Sequence, residues 1–156
     1  MSQNLRLDDT DRRLLRALQA DGRISNADLA VRCNLSPSAC SERVRRLKED
    51  GIITGFSAII DPTKVGRDVL IFVEVVLDRT TPDVFENFAI AARRAPDVLE
   101  CHMVAGGFDY LIKARVRDLV EYRRFLEEVL VRIPGVRETR TYPVLEEVKT
   151  GTQLPL

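Results

Sequence analysis

The sequence predicts an α+β protein of two domains: an N-terminal helix-turn-helix domain of the winged type over residues 1–60 and a ferredoxin-like βαββαβ domain over residues 68–156. Three observations predict this architecture. Two short capped helical patterns meet at a tight turn between residues 25 and 48. The polar run DPTKVGR at residues 61–67 then has the composition of a linker. The stretch that follows alternates strand and helix signals.

A first helix is predicted over residues 7–22. Asp8 or Asp9 can cap it, Asp11 falls in its first turn, and Gly22 ends it. Its buried face is expected to consist of apolar residues at helical spacing, namely Leu14, Leu15 and Leu18.

Residues 25–48 predict two helices joined by a turn. Ser25 caps the first helix, and Asn34 tolerates the left-handed conformation that ends it. Ser36 and Pro37 then begin the second helix. Its buried stripe recurs at i, i+4 and i+7 and consists of Cys40, Val44 and Leu47. This arrangement predicts a second helix that enters the major groove of DNA.

The candidate DNA-binding residues lie on this second helix and at its cap. They are Ser36, Ser38, Ala39, Ser41, Glu42, Arg43, Arg45 and Arg46. Small residues at the N-terminal end let a helix approach base edges, and we expect Arg43 to reach bases or phosphates and Arg45 and Arg46 to reach phosphates. The alternative is a structural helix pair whose arginine-rich face is simply solvated. Beyond Gly51, apolar residues on alternate positions predict a strand or small wing.

The second domain is predicted from strand and helix signals in the order βαββαβ. The elements are a strand over 69–77, a helix that begins at Thr81 and Pro82, strands over 98–104 and 109–116, a helix from Asp118 to Pro134, and a strand over 136–144. Pro143 cannot donate a ladder hydrogen bond, which predicts an edge position for the last strand. The first strand is apolar on both faces except at Glu74, so we expect a second subunit to cover the sheet in a homodimer.

The composition, with 45% hydrophobic and 31% charged residues, is that of an ordinary folded protein. No leader and no membrane-spanning apolar run are recognised, so a cytoplasmic protein without a membrane partner is expected. Cys33, Cys40 and Cys101 form no C-x-x-C pair, and His102 is the single histidine. We therefore expect no metal, no cofactor and no enzymatic activity.

Several segments, taken together, resemble the Lrp/AsnC (feast/famine) transcriptional regulators along most of the chain. They are DGRISNADLA, LSPSACSERVRRLKEDGII, PDVFENF, ECHMVAGGFDYLIKARV and RIPGVRETRTYPVLEEVK. The resemblance implies double-stranded DNA as a partner, dimers that assemble further, often to octamers, and an amino-acid effector such as leucine bound between subunits. Three positions depart from the family pattern: Asn34, Gly107 and Pro143.

The effector is expected near the turn at Gly106 and Gly107, where no Cβ blocks the approach of a carboxylate, and Asp109 can pair with an ammonium group. The resemblance implies four further effector-binding residues, which are Met103, Leu119, Tyr142 and Val144. The alternative for the two glycines is a plain hairpin turn.

Two rival functions stay open at this point. The same two-domain architecture resembles sirohaem decarboxylases, which rely on paired histidines, whereas this chain has His102 alone. An interaction module that oligomerises without reading DNA is the other rival, and a duplex-binding assay separates it from a regulator.

Overall fold

The computed structural model of the protein describes residues 7–79 and 81–156, so residues 1–6 of the predicted first domain and Thr80 lie outside the described residues. The chain forms two compact units. The first unit extends to Ile59 and also includes residues 149–156, and the second comprises residues 60–148.

The first unit contains the three predicted helices: α1 over Asp9–Ala20, α2 over Asn26–Cys33 and α3 over Pro37–Glu49. Each begins where the sequence places a capping side chain. Asp8 and Asp11 form a reciprocal capping box at α1, so that helix begins two residues later than predicted. Asn34 ends α2 with a φ of 56°, in the left-handed conformation expected for it.

The core of the first unit is small and comes from all three helices. It contains Leu14, Ala17, Leu29, Ala30, Cys33 and Cys40, with Leu18, Ile24, Leu35 and Val44 packed at its edge. Four residues of the predicted buried stripes thus belong to this core or pack against it, whereas Leu15 and Leu47 are buried outside it.

Residues 51–60 form no strand, although their alternating apolar side chains predicted one. Phe56 instead packs near Gly22, where an added Cβ would lie 3.2 Å from its ring. The Lys48 ammonium lies 5.4 Å from the centre of that ring. Ile59 is 96% exposed. A strand needs a neighbour to pair its backbone groups, and the described part of one chain places none beside this segment.

Residues 149–156 contact the first unit, which differs from the predicted boundary of the second domain at residue 156. The side-chain amide of Gln19 accepts from the Leu154 N–H at 2.6 Å and donates to the Leu154 carbonyl at 3.1 Å. Arg16 donates to the carbonyl oxygen of Leu156 at 2.6 Å. These contacts join polar residues of α1 to a distant backbone, which no sequence periodicity reveals.

The second unit has the predicted ferredoxin-like order of elements. They are β1 over Val69–Leu77, α4 over Pro82–Arg94, β2 over Val98–Met103, β3 over Tyr110–Val116, α5 over Leu119–Phe125 with a π-helical turn over Leu126–Leu130, and β4 over Val136–Pro143. The antiparallel sheet has the order β2-β3-β1-β4, so Pro143 lies on an edge strand as predicted. One cap differs: Thr81 occupies the N-cap position of α4 without a capping hydrogen bond from its side chain.

The two faces of β1 have different surroundings. Ile71, Val73, Val75 and Leu77 belong to the core beneath the helices. Leu70, Phe72, Glu74 and Val76 alternate with them and point to the other side of the sheet. No helix among the described residues is long and apolar enough to cross a membrane.

Candidate functional site

The exposed face of α3, defined by Ser38, Ser41, Glu42 and Arg45, follows the spacing i, i+3, i+4 and i+7. These four side chains therefore line one continuous side of the helix. Ala39 is half buried beside them. The other predicted DNA-binding residues of α3, Arg43 and Arg46, lie on the side that faces α1, as their contacts below show.

Arg43 and Arg46 bind carboxylates of α1. The Arg43 guanidinium lies 2.6 Å from Asp8 and 2.9 Å from Asp11, and the Arg46 guanidinium lies 2.8 Å from Asp11. We call these four residues the Asp11 cluster. Asp11 is only 2% exposed and is the one buried charged residue of the described chain. The sequence indicated outward-facing arginines at 43 and 46, whereas the structure pairs both with α1.

The charges of the Asp11 cluster stabilise one another. Hydrogen bonds from the Asp11 backbone and from Arg43 lower the pKa of Asp8. The carboxylates of Asp8 and Asp11 in turn raise the pKa of Arg43. The sequence suggested Asp11 only as a first-turn acid of α1. Its role as a partner of α3 could not be found from sequence, because the two residues of each pair lie more than 30 positions apart.

Arg45 has a different environment. Its guanidinium lies 2.5 Å from Glu42 and 2.6 Å from Glu49 on the same helix. Glu42 is 64% exposed and Glu49 is 58% exposed. Exposed pairs of this kind contribute little stability, so they can be exchanged for other partners.

The N-terminal end of α3 is fixed by polar contacts. The Ser36 hydroxyl accepts from the Ala39 N–H at 3.2 Å and lies 3.2 Å from the Ser38 hydroxyl. The Asn26 amide of α2 donates to the Pro37 carbonyl at 3.0 Å. Sequence reasoning missed Asn26, which follows the cap of α2 and offers no signal of this long-range contact. The Asn26 side chain therefore holds the start of α3 against α2.

The turn between β2 and β3, residues 104–109, contains three of the predicted effector residues. Gly106 and Gly107 are exposed, and a Cβ built at either would meet nothing within 4 Å. Asp109 is half buried, and its carboxylate accepts from the Leu77 N–H at 2.7 Å. The Asp109 carboxylate thus supports the end of β1, a contact that the sequence did not predict.

The remaining predicted effector residues do not all lie at this turn. Met103 adjoins it at the end of β2, whereas Leu119, Tyr142 and Val144 do not. Val144 donates to the Leu70 carbonyl at 2.9 Å near the start of β1, and Tyr142 pairs with Phe72 in the middle of β1. The turn is level with Val75, so Tyr142 lies about 10 Å and Val144 about 17 Å from it along the strands, and β4 is two strands away from β3. One chain therefore does not bring the predicted set together.

A cavity of about 490 Å³ lies between α4 and β2. Of the predicted effector residues, Met103 alone lines it, beside Arg93, Cys101 and Tyr110. Burial raises the pKa of the Cys101 thiol, which keeps it protonated. Cys33 and Cys40 are buried and all three cysteines are free.

His102 is exposed on β2 and lies 3.2 Å from Glu100. Within residues 7–79 and 81–156, no group of three or more potential metal ligands comes together. The single histidine thus has one carboxylate neighbour and no second imidazole with which to act.

A helix-turn-helix with an exposed helix face, followed by a ferredoxin-like unit with an open glycine turn, defines a DNA-binding regulator with a ligand-binding domain. Residues 7–54 match the winged helix-turn-helix DNA-binding family, and residues 70–154 match the Lrp/AsnC ligand binding domain. The chain belongs to the Lrp/AsnC family of transcriptional regulators.

Relatives and solved structures agree with this assignment. The leucine-responsive regulatory protein of Escherichia coli K12 is 51% identical over 148 residues, which cover 95% of this chain and 90% of that protein. A transcriptional regulator of Neisseria meningitidis in complex with L-methionine is 35% identical with a TM-score of 0.92, over 96% of this chain and 97% of that one. A feast or famine regulatory protein of M. tuberculosis complexed with L-methionine is 34% identical with a TM-score of 0.86, over 96% and 99%.

Proposed function

We propose that this regulator binds double-stranded DNA through α3 and the serine that caps it. The proposed interface consists of Ser36, Ser38, Ala39, Ser41, Glu42, Arg43, Arg45 and Arg46. The observation that carries this proposal is the exposed face of α3, where small side chains precede an arginine on one continuous side of a capped helix. Small residues let the helix backbone approach base edges, and the arginine supplies the positive charge that DNA requires.

The test is titration of the full chain with a duplex selected by it from a random-sequence library, compared with a scrambled duplex of equal length. We expect tighter binding to the selected duplex and a linear fall of log affinity with log salt. Equal, salt-independent binding to both duplexes would contradict the proposal and would favour a module that only oligomerises.

We also propose that an amino acid such as leucine or methionine binds at the turn of residues 104–109. The exposed Gly106 and Gly107 leave space for a carboxylate beside the backbone. The Asp109 carboxylate retains acceptor capacity beyond its bond to Leu77 and can accept from the ammonium group. Two of the structural neighbours contain L-methionine, which is an amino acid of this kind.

Leu119, Tyr142 and Val144 complete this site only if they come from a second subunit. Tyr142 and Val144 lie on or beside β4, two strands away from β3, and Leu119 follows the other end of β3, so the same chain does not bring them to the glycine turn. The proposal therefore requires a homo-oligomer, with a dimer as the smallest unit and an octamer as the larger assembly that the family resemblance implies.

The outer face of the sheet supports a homodimer. Phe72 and Val76 of β1 and Leu111 of β3 point away from the helices and are half buried. Charged residues such as Glu74, Lys113 and Arg115 share this face, so the apolar residues form a patch along β1. A second copy of the same face is the simplest cover for such a patch. A cytoplasmic location fits a regulator of this family and is part of the proposal.

The effector is identified by a thermal-shift screen of the full chain across the proteinogenic amino acids. A ligand at 100 times its Kd stabilises the folded state by about 2.7 kcal/mol, so the true effector should raise Tm well above the others. No shift with any amino acid would contradict the effector proposal. The sirohaem-decarboxylase reading needs a second histidine that the sequence lacks, and no enzymatic activity is proposed.

A further inference from the structure

All three arginines of α3 bind carboxylates of the same chain. Arg43 and Arg46 bind the buried Asp11, whereas Arg45 binds the exposed Glu42 and Glu49. We propose that Asp11 is a positioning residue for DNA recognition: it keeps Arg43 and Arg46 on the α1 side of α3 and leaves Arg45 as the arginine that moves to DNA. This inference rests on the proposed use of α3 in DNA binding and narrows the set of residues that make the contact.

The difference in burial decides which arginine is released. Asp11 is 2% exposed, and a buried carboxylate that loses its partners is strongly destabilised because water cannot replace them. Glu42 and Glu49 are more than half exposed, so water replaces Arg45 at little cost. A DNA phosphate that competes for these arginines therefore displaces the partners of Arg45 first.

The geometry of α3 leads to the same assignment. Arg45 lies on the exposed face, seven positions after Ser38 and therefore on the same side of the helix. Arg43 and Arg46 occupy neighbouring positions on the side toward α1, three residues apart. Two guanidinium groups directed at one carboxylate also fix the rotation of α3 about its axis, so Asp11 determines which side of α3 is turned outward.

The Asp11 cluster is also balanced in charge. Asp8 and Asp11 supply two negative charges, and Arg43 and Arg46 supply two positive charges. If Asp11 loses its charge, Arg46 loses its carboxylate partner and Arg43 keeps only the exposed Asp8, so one or both guanidinium groups become available to a nearby phosphate. Phosphate contacts carry no sequence information, so the protein should then bind DNA more tightly but discriminate less between sequences.

The first experiment compares Asp11→Asn with Asp9→Asn in the full chain. Both variants change the net charge equally on the same helix, but Asp9 is exposed and outside the Asp11 cluster. We expect Asp11→Asn to steepen the slope of log affinity against log salt by about 0.9 to 1.8, as for one or two added phosphate contacts. The ratio of affinities for selected and scrambled duplexes should fall at least tenfold. Asp9→Asn should change neither value appreciably.

The second experiment needs no substitution of the buried acid and so holds even if Asp11→Asn fails to fold. It measures the salt slope of Arg45→Ala and Arg46→Ala. We expect Arg45→Ala to flatten the slope by about 0.9 and Arg46→Ala to flatten it by clearly less. An equal or larger effect of Arg46→Ala would overturn the inference, as would identical behaviour of Asp11→Asn and Asp9→Asn. If the wild-type chain showed no sequence-dependent duplex binding, the proposed function itself would fail.

Discussion

The predicted DNA-binding residues and the predicted effector-binding residues differ in how far apart they lie along the chain. The first set falls between Ser36 and Arg46, on one helix and its cap. The second set extends from Met103 to Val144 and includes residues from two strands, a turn, a helix and the segment after β4. In the structure the first set stays together on one helix, whereas the second is spread across the sheet from the β2–β3 turn to β4. A site built on one element can be complete in one chain, but a site drawn from several strands depends on their topology and on other subunits.

The largest effect is expected from removing the second subunit, on which the proposed effector site depends and the DNA-binding helix does not. Phe72 lies on the outer face of the sheet, opposite Lys113 of β3 and Tyr142 of β4. Phe72→Glu places a charge in the proposed dimer interface, and we expect the dimer dissociation constant to rise at least about 30-fold, as for the loss of a central interface residue. Sedimentation of the full chain measures this, and calorimetry should show that amino-acid binding is lost with the dimer.

The matched control is Val131→Glu, which introduces the same charge at an exposed apolar residue that follows the π-helical turn. This variant should sediment and bind as wild type. Val73 of the same strand is not a suitable position for such a charge. Val73 is fully buried under the helices, so a charge there would unfold the unit rather than separate subunits. A dimeric Phe72→Glu would show that another surface joins the subunits.

The second prediction tests whether the glycine turn holds the polar end of the effector. Asp109→Asn keeps an oxygen that can accept from the Leu77 N–H but loses the negative charge that an ammonium group requires. Hydrogen bonds to charged groups contribute about 1.5–3 kcal/mol, so amino-acid affinity should fall about 10-fold to 150-fold. Calorimetric titration measures the loss, and duplex binding should stay close to wild type because α3 belongs to the other unit.

Asp109→Ala is the companion variant, since it loses both the charge and the acceptor for Leu77. It should lower Tm as well as amino-acid affinity, whereas Asp109→Asn should lower affinity alone. If Asp109→Asn bound its effector as tightly as wild type, the proposed site at residues 104–109 would be wrong.

Most of the fold could be predicted from the sequence because its signals are local. Caps at Ser25, Ser36 and Asp118 begin helices in the structure, and the bounds predicted for β1 are those observed. The strand order also follows, because a βαββαβ succession has one common antiparallel arrangement. Residues 51–60 show the limit of this reasoning: their alternation is a strand signal, but no strand among the described residues pairs with them.

The site could be predicted less completely, and the contacts of Arg43 show why. Helical spacing specifies which residues of α3 lie on the same side, but it does not specify which distant side chain each will meet. Asp11 and Arg43 are 32 positions apart and form an ion pair only after α1 packs across α3. In the same way, strand spacing places Tyr142 on one face of β4 but does not show that it pairs with Phe72 or that the glycine turn is two strands away.

The third prediction concerns the DNA-binding helix and distinguishes the roles of two of its arginines, Arg45 and Arg43. Arg45→Ala should weaken binding of the selected duplex by about 1–3 kcal/mol if Arg45 reaches a base edge. Arg43→Ala should instead lower the free energy of unfolding by about 1–3 kcal/mol, because Asp11 loses one of its two guanidinium partners. Duplex titration and denaturant unfolding of both variants provide the four values needed. A larger loss of DNA affinity in Arg43→Ala than in Arg45→Ala would show that Arg43 contacts DNA, as the sequence indicated.

The smallest expected effect concerns pH and the exposed end of the Asp11 cluster. The pKa of Asp8 in the folded protein lies below its ordinary value of 3.8, chiefly because the Asp11 backbone N–H and then Arg43 bind its carboxylate. A carboxyl group with a lowered folded-state pKa contributes stability that is complete above its unfolded pKa and is lost as the pH falls through the folded one. Wild type should therefore lose more stability than Asp8→Asn when the pH falls below 3.8.

Asp8 is 51% exposed, so solvent screening keeps the difference small, and 1 M salt should reduce its ion-pair part further. Denaturant midpoints of both proteins along a pH series measure this difference in stability. Subtracting one curve from the other cancels the contribution of every other carboxyl group. Parallel curves for the two proteins would show that the Asp8 contacts do not stabilise the first unit, and the orientation of α3 would then depend on Asp11 alone.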